Sequence, residues 1–304
     1  MEGWPVPRVD LGVRPTPYEE RLIDGLAVLV KRDDLCGGNK TRALEFLLAG
    51  SPRRVLTYSS LSANHAYATA LHAGRIGAAC DLVIVRKGRR SEALSRLPRV
   101  ADRVVEVGGA AGALLATARL WRRGTRIIPP GGAGARGALG YAAMVRELPE
   151  IPERIYLPLG TGTTTSGLLA GLMLRGARCE VVAVRVADAV GGWFLWRRAH
   201  AALRLIGRPA RRGDVRLRVV RAHGRYGEPT PASDAARLAA AAAGLAVDPT
   251  YMAKCIATLL DERPRRGALL VTCHPAEGDT PEEARLEARK WEAGGAWGAP
   301  PAGS

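Results

Sequence analysis

The chain has 304 residues, 47% of them hydrophobic, which is expected of one large or two modest globular domains. Its net charge of +16 could indicate nucleic acid, an anionic membrane surface or anionic ligands as partners. The arginines are scattered, however, without zinc-finger spacing, an RNA-binding aromatic signature or a long basic tail, so we expect no nucleic-acid partner.

The five cysteines are an odd number and none forms a CxxC pair, which argues against a disulfide framework or a cysteine-based zinc site. The N-terminal residues lack the basic and apolar regions of a signal peptide. No apolar run is long enough to span a bilayer. The sequence therefore predicts a soluble, cytoplasmic protein with no membrane partner.

Residues 1–26 are rich in proline and predicted to be irregular, and strand-like and helix-like segments alternate after them. The predicted strands are 27–31, 54–58, 81–86, 103–107, 125–128, 154–158, 180–186, 216–220 and 268–272. The predicted helices are 40–49, 64–76, 110–123, 137–148, 166–175, 193–206, 232–243, 250–262 and 282–292. This alternation indicates βαβ units and mostly parallel sheets with helices on both faces. Active groups should then gather in loops at the carboxyl ends of strands.

The first such loop is Gly37-Gly38-Asn39-Lys40-Thr41-Arg42, which leads into the first predicted helix. Lysine occurs elsewhere only at positions 31, 87, 254 and 290, and the rest of the 45 basic residues are arginines. An amine at a partly desolvated helix start can lose its proton, which a guanidinium cannot. A lysine kept here predicts a Schiff base with a carbonyl, most often that of pyridoxal phosphate. A solvated helix-start residue is the alternative that this segment leaves open.

Three further loops lie at comparable positions. The segment Gly160–Gly167 offers small residues, hydroxyls and backbone N–H groups at a helix start, the features of a phosphate cradle. It matches neither GxGxxG nor GxxxxGK[ST], and a plain strand-to-helix turn is the alternative. Residues 129–134 are flexible by composition and could line a cleft. Residues 59–65 include Asn64, which could bond a cofactor's phenolic oxygen or simply cap a helix.

Other polar residues are weaker candidates. His72 follows His65 by seven residues, but no third ligand is evident, so we expect no metal site. Tyr226 and Tyr251 lie in turns, where a tyrosine could transfer protons or simply pack. Cys273 directly follows the last predicted strand and could contact a ligand or pack as a small residue.

Taken in order, these segments resemble the fold type II pyridoxal-phosphate enzymes, whose fold is tryptophan synthase β-like. More closely, they resemble the branch of D-cysteine desulfhydrase and 1-aminocyclopropane-1-carboxylate (ACC) deaminase. The matching segments are Val30–Leu35, Gly37–Arg42 with Leu44-Glu45-Phe46, Asn64-His65, Gly137–Tyr141, Gly160–Gly167, and Asp248–Tyr251 with Lys254. The resemblance extends from about residue 8 to about residue 276. It implies a two-domain α/β protein, with a large cofactor-binding domain of residues 1–49 plus 148–304 and a small domain of residues 50–147.

The resemblance also implies roles for single residues. Lys40 would hold the cofactor as a Schiff base and shuttle the substrate's α-proton, and Asn64 would bond the ring's O3′. Cys273 would stand where a hydroxyl residue usually meets the pyridine nitrogen, and Tyr251 would be a candidate acid or base beside Tyr226. The phosphate-binding residues would be Thr161, Gly162, Thr163 and Thr164. The substrate-binding residues would be Ser62, Ala63, His65, Tyr226 and Tyr251.

Three positions depart from the family pattern. Ala63 replaces a serine that assists catalysis, Met252 replaces a glutamate of the deaminase branch, and Ala43 replaces a second lysine. The prediction is a homodimeric lyase or deaminase that uses pyridoxal 5′-phosphate to eliminate a group from a small amino acid. One alternative is a β-replacement or biosynthetic enzyme of the same fold. A different-class alternative is a non-catalytic cofactor-binding or basic interaction protein.

Overall fold

The computed structural model of the chain describes residues 4–12, 14–61, 64–88, 90, 92–186, 191–221, 224–225, 227–264 and 268–271. Two sheets form the frame of this part of the chain, one of six strands and one of four. Neighbouring strands are mostly distant in sequence, because helical crossovers are needed to connect parallel strands. The predicted α/β architecture with mostly parallel sheets is confirmed.

The large sheet has the spatial order β1-β2-β10-β7-β8-β9. Its strands are β1 (Tyr18–Ile23), β2 (Leu26–Lys31), β7 (Arg154–Leu159), β8 (Cys179–Arg185), β9 (Val215–Arg221) and β10 (Ala268–Val271). β1 runs antiparallel to β2, and the other neighbours are parallel. Side chains of β7 and β8 alternate between two apolar cores, with Leu157 and Ala183 in one and Tyr156 and Val182 in the other. Because both faces are covered, these strands read as almost continuous apolar runs.

The small sheet has the order β5-β4-β3-β6, and all of its strands are parallel. Its strands are β3 (Arg54–Ser60), β4 (Ala79–Val85), β5 (Arg103–Val107) and β6 (Thr125–Ile128). Leu82 and Ile84 of the central strand β4 enter one core, and Val83 enters the core on the opposite face. This sheet is therefore also covered on both sides.

Helices cover the faces of both sheets. In chain order, α1 to α9 are Lys40–Leu47, Asn64–Arg75, Glu92–Arg96, Gly109–Leu120, Ala135–Val145, Thr163–Leu174, Gly192–Leu205, Pro231–Ala242 and Met252–Glu262. α5 lies against both α1 and α6 at glycines. A Cβ atom on Gly140 would fall 2.0 Å from the Arg42 carbonyl oxygen, and one on Gly167 would fall 2.2 Å from the Ala138 carbonyl oxygen. Only glycine allows these backbones to approach so closely, and α5 thereby fixes α1 relative to α6.

The N-terminal prediction was wrong in one respect, because residues 18–23 form the edge strand β1. Its sequence is charged and lacks a clean apolar alternation, because only Ile23 at its end is fully buried. The hairpin that pairs it with β2 turns at Asp24 and Gly25, both with positive φ. An Asp-Gly dipeptide is a strong hairpin signal, and it is the feature that could have located the strand. The short helix α3 was likewise not predicted, and the predicted helix 282–292 lies outside the described residues.

The division of the chain into domains at residues 50 and 147 stays a prediction. The strands of the small sheet all fall between those positions, and the described strands of the large sheet fall outside them. α1 contributes to both sides, with Phe46 in a large-sheet core and Leu44 in a small-sheet core. Within the described ranges, no helix has both the length and the apolar character needed to cross a membrane.

Candidate active site

Four segments of the candidate site follow the carboxyl ends of parallel strands. Lys40 comes after β2, Asn64 after β3, residues 129–134 after β6 and Gly160 after β7. In open α/β sheets this edge is where ligands bind, because loops and helix N-termini converge there. The topology therefore brings together segments that lie up to 120 residues apart in the sequence.

Lys40 is the first residue of α1 and is half-buried. The preceding residue is held by Tyr141 of α5, whose hydroxyl donates to the Asn39 carbonyl at 2.9 Å. The next residue, Thr41, donates its hydroxyl proton to the Gly37 carbonyl at 2.9 Å. Since that hydroxyl has only one proton, it accepts from the imidazole of His72 at 2.9 Å. The backbone is thus fixed on both sides of the lysine.

His65, on the first turn of α2, lies beside Lys40. Burial, followed by the charge of Lys40, lowers the pKa of His65 to about 3, so its imidazole is neutral at physiological pH. Its Nε2 lies 3.1 Å from the hydroxyl of Thr57, which itself donates to the Ile128 carbonyl at 2.7 Å. The anchored ring therefore adds no second positive charge near the amine.

A buried ionic network braces α1 from behind the lysine. Arg42 donates to both oxygens of Asp33 at 2.7 Å and to those of Glu147 at 2.7 and 2.9 Å. It also donates to the Thr16 hydroxyl at 2.9 Å, and Lys31 pairs with Glu147 at 2.9 Å. Arg42 is 1% exposed, so its charge is tolerated only because these partners surround it. The network ties α1 to the N-terminal arm, to β2 and to the end of α5.

The network should make stability depend on pH through Glu147. Burial alone would raise the pKa of Glu147, but the hydrogen bonds and charges of Arg42 and Lys31 hold it at about 2, below its ordinary 4.5. The stabilisation from this carboxylate is complete above about pH 4.5 and is lost as the pH falls through about 2. We expect wild type to lose stability more steeply than Glu147→Gln between these pH values, by a total on the order of 3 kcal/mol.

Denaturant unfolding at a series of pH values measures this difference. Glu153→Gln is the matched control, because Glu153 is an exposed glutamate on the same connection. Its unfolding free energy should follow that of wild type at every pH. Parallel curves for wild type and Glu147→Gln would contradict the expected linkage.

The phosphate-cradle candidate lies at the start of α6. Gly162 has φ +76°, and α6 begins at Thr163, three residues earlier than predicted, so Thr163 to Ser166 form its first turn. The first hydrogen bond into this helix runs from the Ser166 N–H to the Gly162 carbonyl at 2.9 Å. The N–H groups of residues 163–165 therefore have no acceptor within the helix and point out of its N-terminus. These donors, with the positive end of the helix dipole, favour an anion.

The turn at residues 129–134 lies between α1 and residues 161–164, which we call the threonine turn. A Cβ atom on Gly131 would fall 2.5 Å from the Thr161 hydroxyl oxygen, and one on Gly132 would fall 2.9 Å from the Ala43 Cβ. Both glycines are buried and have positive φ, +61° and +67°. The composition of this turn suggested flexibility, but the turn is in direct contact with both α1 and the threonine turn.

Tyr251 approaches the same loop from the other side. A Cβ atom on Gly160 would lie 3.5 Å from the Cε1 atom of the Tyr251 ring. Tyr251 immediately precedes α9, and the Asp248 carboxylate fixes this turn by accepting from the N–H groups of residues 250–252 at 3.0, 2.6 and 3.2 Å. The half-buried tyrosine is therefore held against the strand end that leads into the threonine turn.

The structure thus gathers Lys40, His65, the Thr161–Thr164 segment and Tyr251 at one edge. Asn64 is half-buried at the start of α2. Four predicted site residues lie outside the described residues: Ser62, Ala63, Tyr226 and Cys273. His65 and His72 bond to different threonines, and no group of three or more metal-ligating side chains is found in the described part of the chain.

Two residues of this region were missed by the sequence interpretation. Arg198 of α7 donates to the Thr161 carbonyl at 2.7 Å. Thr57 of β3 anchors His65. No local pattern identifies either residue, because each is brought to the site by packing between elements. Thr57 follows the apolar residues Val55 and Leu56 in β3, and this change to a polar residue is the signal that the sequence offers.

The chain is similar to known proteins in sequence and in fold. A family model described as pyridoxal-phosphate dependent enzyme matches residues 9–275. The sequence is 38% identical to nocardicin C-9′ epimerase of Nocardia uniformis subsp. tsuyamanensis, covering 84% of this chain and 88% of that protein. It is 29% identical to D-cysteine desulfhydrase of Klebsiella pneumoniae (strain 342), again covering 84% of this chain and 88% of that protein. A crystal structure of an ACC deaminase homologue superposes with a TM-score of 0.79 at 25% identity, covering 93% of this chain and 96% of that one.

Proposed function

This chain belongs to the pyridoxal-phosphate-dependent enzymes, and on that premise we propose that it is a lyase or deaminase that removes the α-proton of a small amino acid at Lys40. The observation that carries the proposal is the position of the half-buried Lys40 amine at the sheet edge that also holds the threonine turn. The two are linked by the buried glycine turn at residues 129–134. An amine and an anion cradle at one edge are the two groups that a phosphorylated aldehyde requires.

The residues present fit this cofactor. Gly162 and the first turn of α6 offer N–H donors to a phosphate, and the Gly131 position has no room for a side chain. The hydroxyls of Thr165 and Ser166 are buried and have no hydrogen-bond partner in the described part of the chain. Buried hydroxyls without partners are unusual in native proteins, and a bound anion nearby would give the turn the acceptors it lacks.

The residues named in the sequence analysis then have distinct tasks. Lys40 would attach the cofactor and, when substrate replaces it there, hold the α-proton on its Nζ atom. Thr163 and Thr164 would bind the phosphate through their backbone N–H groups, and Asn64 would orient the ring. The cofactor, once bound, supplies the electron withdrawal that weakens the bond from the substrate's Cα atom to its hydrogen.

Tyr251 and His65 would act on either side of the amine. Tyr251, held against Gly160, is placed to orient a substrate or to exchange a proton with it. His65 remains neutral because burial and the charge of Lys40 lower its pKa to about 3. These roles remain proposals, as do those of Ser62, Ala63, Tyr226 and Cys273.

A second outcome of the same first step is epimerisation. Two observations favour it: the 38% identity with an epimerase, and the Met252 and Ala63 positions that depart from the deaminase pattern. In that case the proton removed at Lys40 would be replaced from the opposite face of the α-carbon, and no bond to a β-substituent would break. β-Replacement with an added nucleophile is a third outcome that shares the initial step.

One experiment separates elimination from epimerisation. The cofactor-loaded protein is incubated in deuterium oxide with a panel of D- and L-amino acids, including D-cysteine and serine. Elimination releases a keto acid and ammonia, whereas epimerisation yields the opposite enantiomer with deuterium at the α-carbon and no keto acid. Amino acids that perturb the spectrum of the bound cofactor but exchange no α-proton would contradict the proposal. They would favour a non-catalytic cofactor-binding protein instead.

We further propose a cytoplasmic homodimer. The buried thiols of Cys80 and Cys179 are compatible with a reducing compartment. Light scattering of the purified chain measures the oligomeric state, and a mass equal to one chain would contradict the dimer.

A further inference from the structure

Arg198 lies behind the threonine turn. It is on α7, whose Leu195 and Ala199 share an apolar core with Leu168 of α6. This packing presents the half-buried guanidinium to the turn, where its Nη1 atom donates to the Thr161 carbonyl at 2.7 Å. The arginine is therefore placed by the contact between two helices, in direct contact with the candidate phosphate cradle.

The charge of Arg198 has no negative partner in the described ranges. A guanidinium has five N–H donors, and Thr161 O accepts from one of them. Burial lowers the pKa of Arg198, and no carboxylate among the described residues offsets that effect. The neighbouring Arg197 differs, because it is exposed and lies over the Trp193 ring at 5.3 Å from the ring centroid.

We infer that Arg198 strengthens binding of the cofactor's phosphate group by placing a positive charge, which no described carboxylate offsets, against the backbone of the threonine turn. The inference depends on the cofactor family and not on which reaction follows. It makes Arg198 a positioning residue that favours the phosphorylated cofactor over the same aldehyde without its phosphate. The N–H groups of the α6 first turn supply directional donors, and the guanidinium adds a full charge beside them.

Three variants separate charge from hydrogen bonding. Arg198→Gln keeps a donor for the Thr161 carbonyl but removes the charge, and Arg198→Lys keeps the charge. Arg197→Gln removes a neighbouring charge on the exposed side of the same helix. The affinity of each full-length protein for pyridoxal phosphate and for pyridoxal is measured by fluorescence titration. The rate of cofactor release from the loaded protein is followed by absorbance.

Arg198→Gln should raise the dissociation constant for pyridoxal phosphate by about fivefold to tenfold and leave that for pyridoxal within about twofold. Arg198→Lys and Arg197→Gln should both stay within about twofold of wild type for the two ligands. The loss in Arg198→Gln should also shrink at high ionic strength, because salt screens the charge but not a local hydrogen bond.

Equal losses for the two aldehydes would overturn the inference, since they would mean that Arg198 only holds the turn in place. Unchanged affinity in Arg198→Gln would overturn it as well. A melting temperature recorded for each cofactor-free variant shows whether a loss reflects unfolding. None of these measurements uses turnover, so a failure here leaves the proposed reaction untouched, and the reverse also holds.

Discussion

Lys40→Ala should give a protein without the visible absorption band of a lysine-bound cofactor and with turnover reduced by roughly 10³-fold or more. The residue opens α1 with its backbone fixed by Tyr141 and Thr41, so the substitution removes the amine while leaving these contacts in place. Absorbance of the dialysed protein and release of keto acid or of the opposite enantiomer measure the two effects.

Two lysine controls sharpen the Lys40 experiment. Lys40→Arg keeps a positive charge at the helix start but cannot form a stable Schiff base, so it should behave like Lys40→Ala. Lys87→Ala removes an exposed lysine at the end of β4 and should keep both the band and the turnover. A coloured and active Lys40→Ala protein would contradict the assignment of Lys40.

Arg42→Met should lower the free energy of unfolding by about 3 to 5 kcal/mol, because it leaves the carboxylates of Asp33 and Glu147 buried with fewer partners. The methionine fills a similar length, so loss of packing contributes little to the effect. Urea unfolding of the cofactor-free protein measures the change without the added stability of a bound ligand.

The matched control is an exposed arginine. Arg90 pairs with Glu106, and these side chains are 64% and 34% exposed. Arg90→Met should therefore cost less than about 1 kcal/mol. Arg42→Lys keeps the charge but cannot donate to Asp33 and Glu147 with the geometry of a guanidinium. Its loss of unfolding free energy should fall between those of the two other variants. Equal effects of Arg42→Met and Arg90→Met would show that the buried network contributes no more than a surface ion pair.

Much of the frame could be predicted because the pattern that identifies it is local. The apolar runs of β4, β7 and β8 indicate buried strands, and the helices between them imply parallel pairing. Once parallel pairing is predicted, the loops at the carboxyl ends of these strands are expected to lie together and form the candidate site. The start of α6 was placed three residues too late, because threonine, serine and glycine are weak helix formers. The positive φ of Gly162, which turns the chain into the helix, has no sequence signal beyond the glycine itself.

The bracing of the site could not be predicted, because its members are distant in sequence. Arg42 and Glu147 are 105 residues apart, and no periodicity relates them. The scarcity of lysine also distinguished Lys40 from the other lysines less well than expected. Lys31 and Lys254 are fully buried, whereas Lys40 is half-buried. Lys31 belongs to the ionic network, and Lys254 donates to the Arg225 carbonyl. Scarcity alone therefore does not identify the functional lysine, and it was the position of Lys40 after a strand and two glycines that singled it out.

The network behind α1 has an evolutionary consequence. The residues that immobilise the lysine helix lie in the N-terminal arm, β2 and the end of α5, whereas Tyr251 and Met252 belong to a separate late segment. If the proposed proton removal at Lys40 is correct, mutations in that late segment can change the later steps of the reaction without weakening the contacts that hold α1. Substrate preference and product stereochemistry could therefore change during evolution while the network behind α1 is kept. This separation offers a reason why one chain can be similar in sequence to both an epimerase and a desulfhydrase.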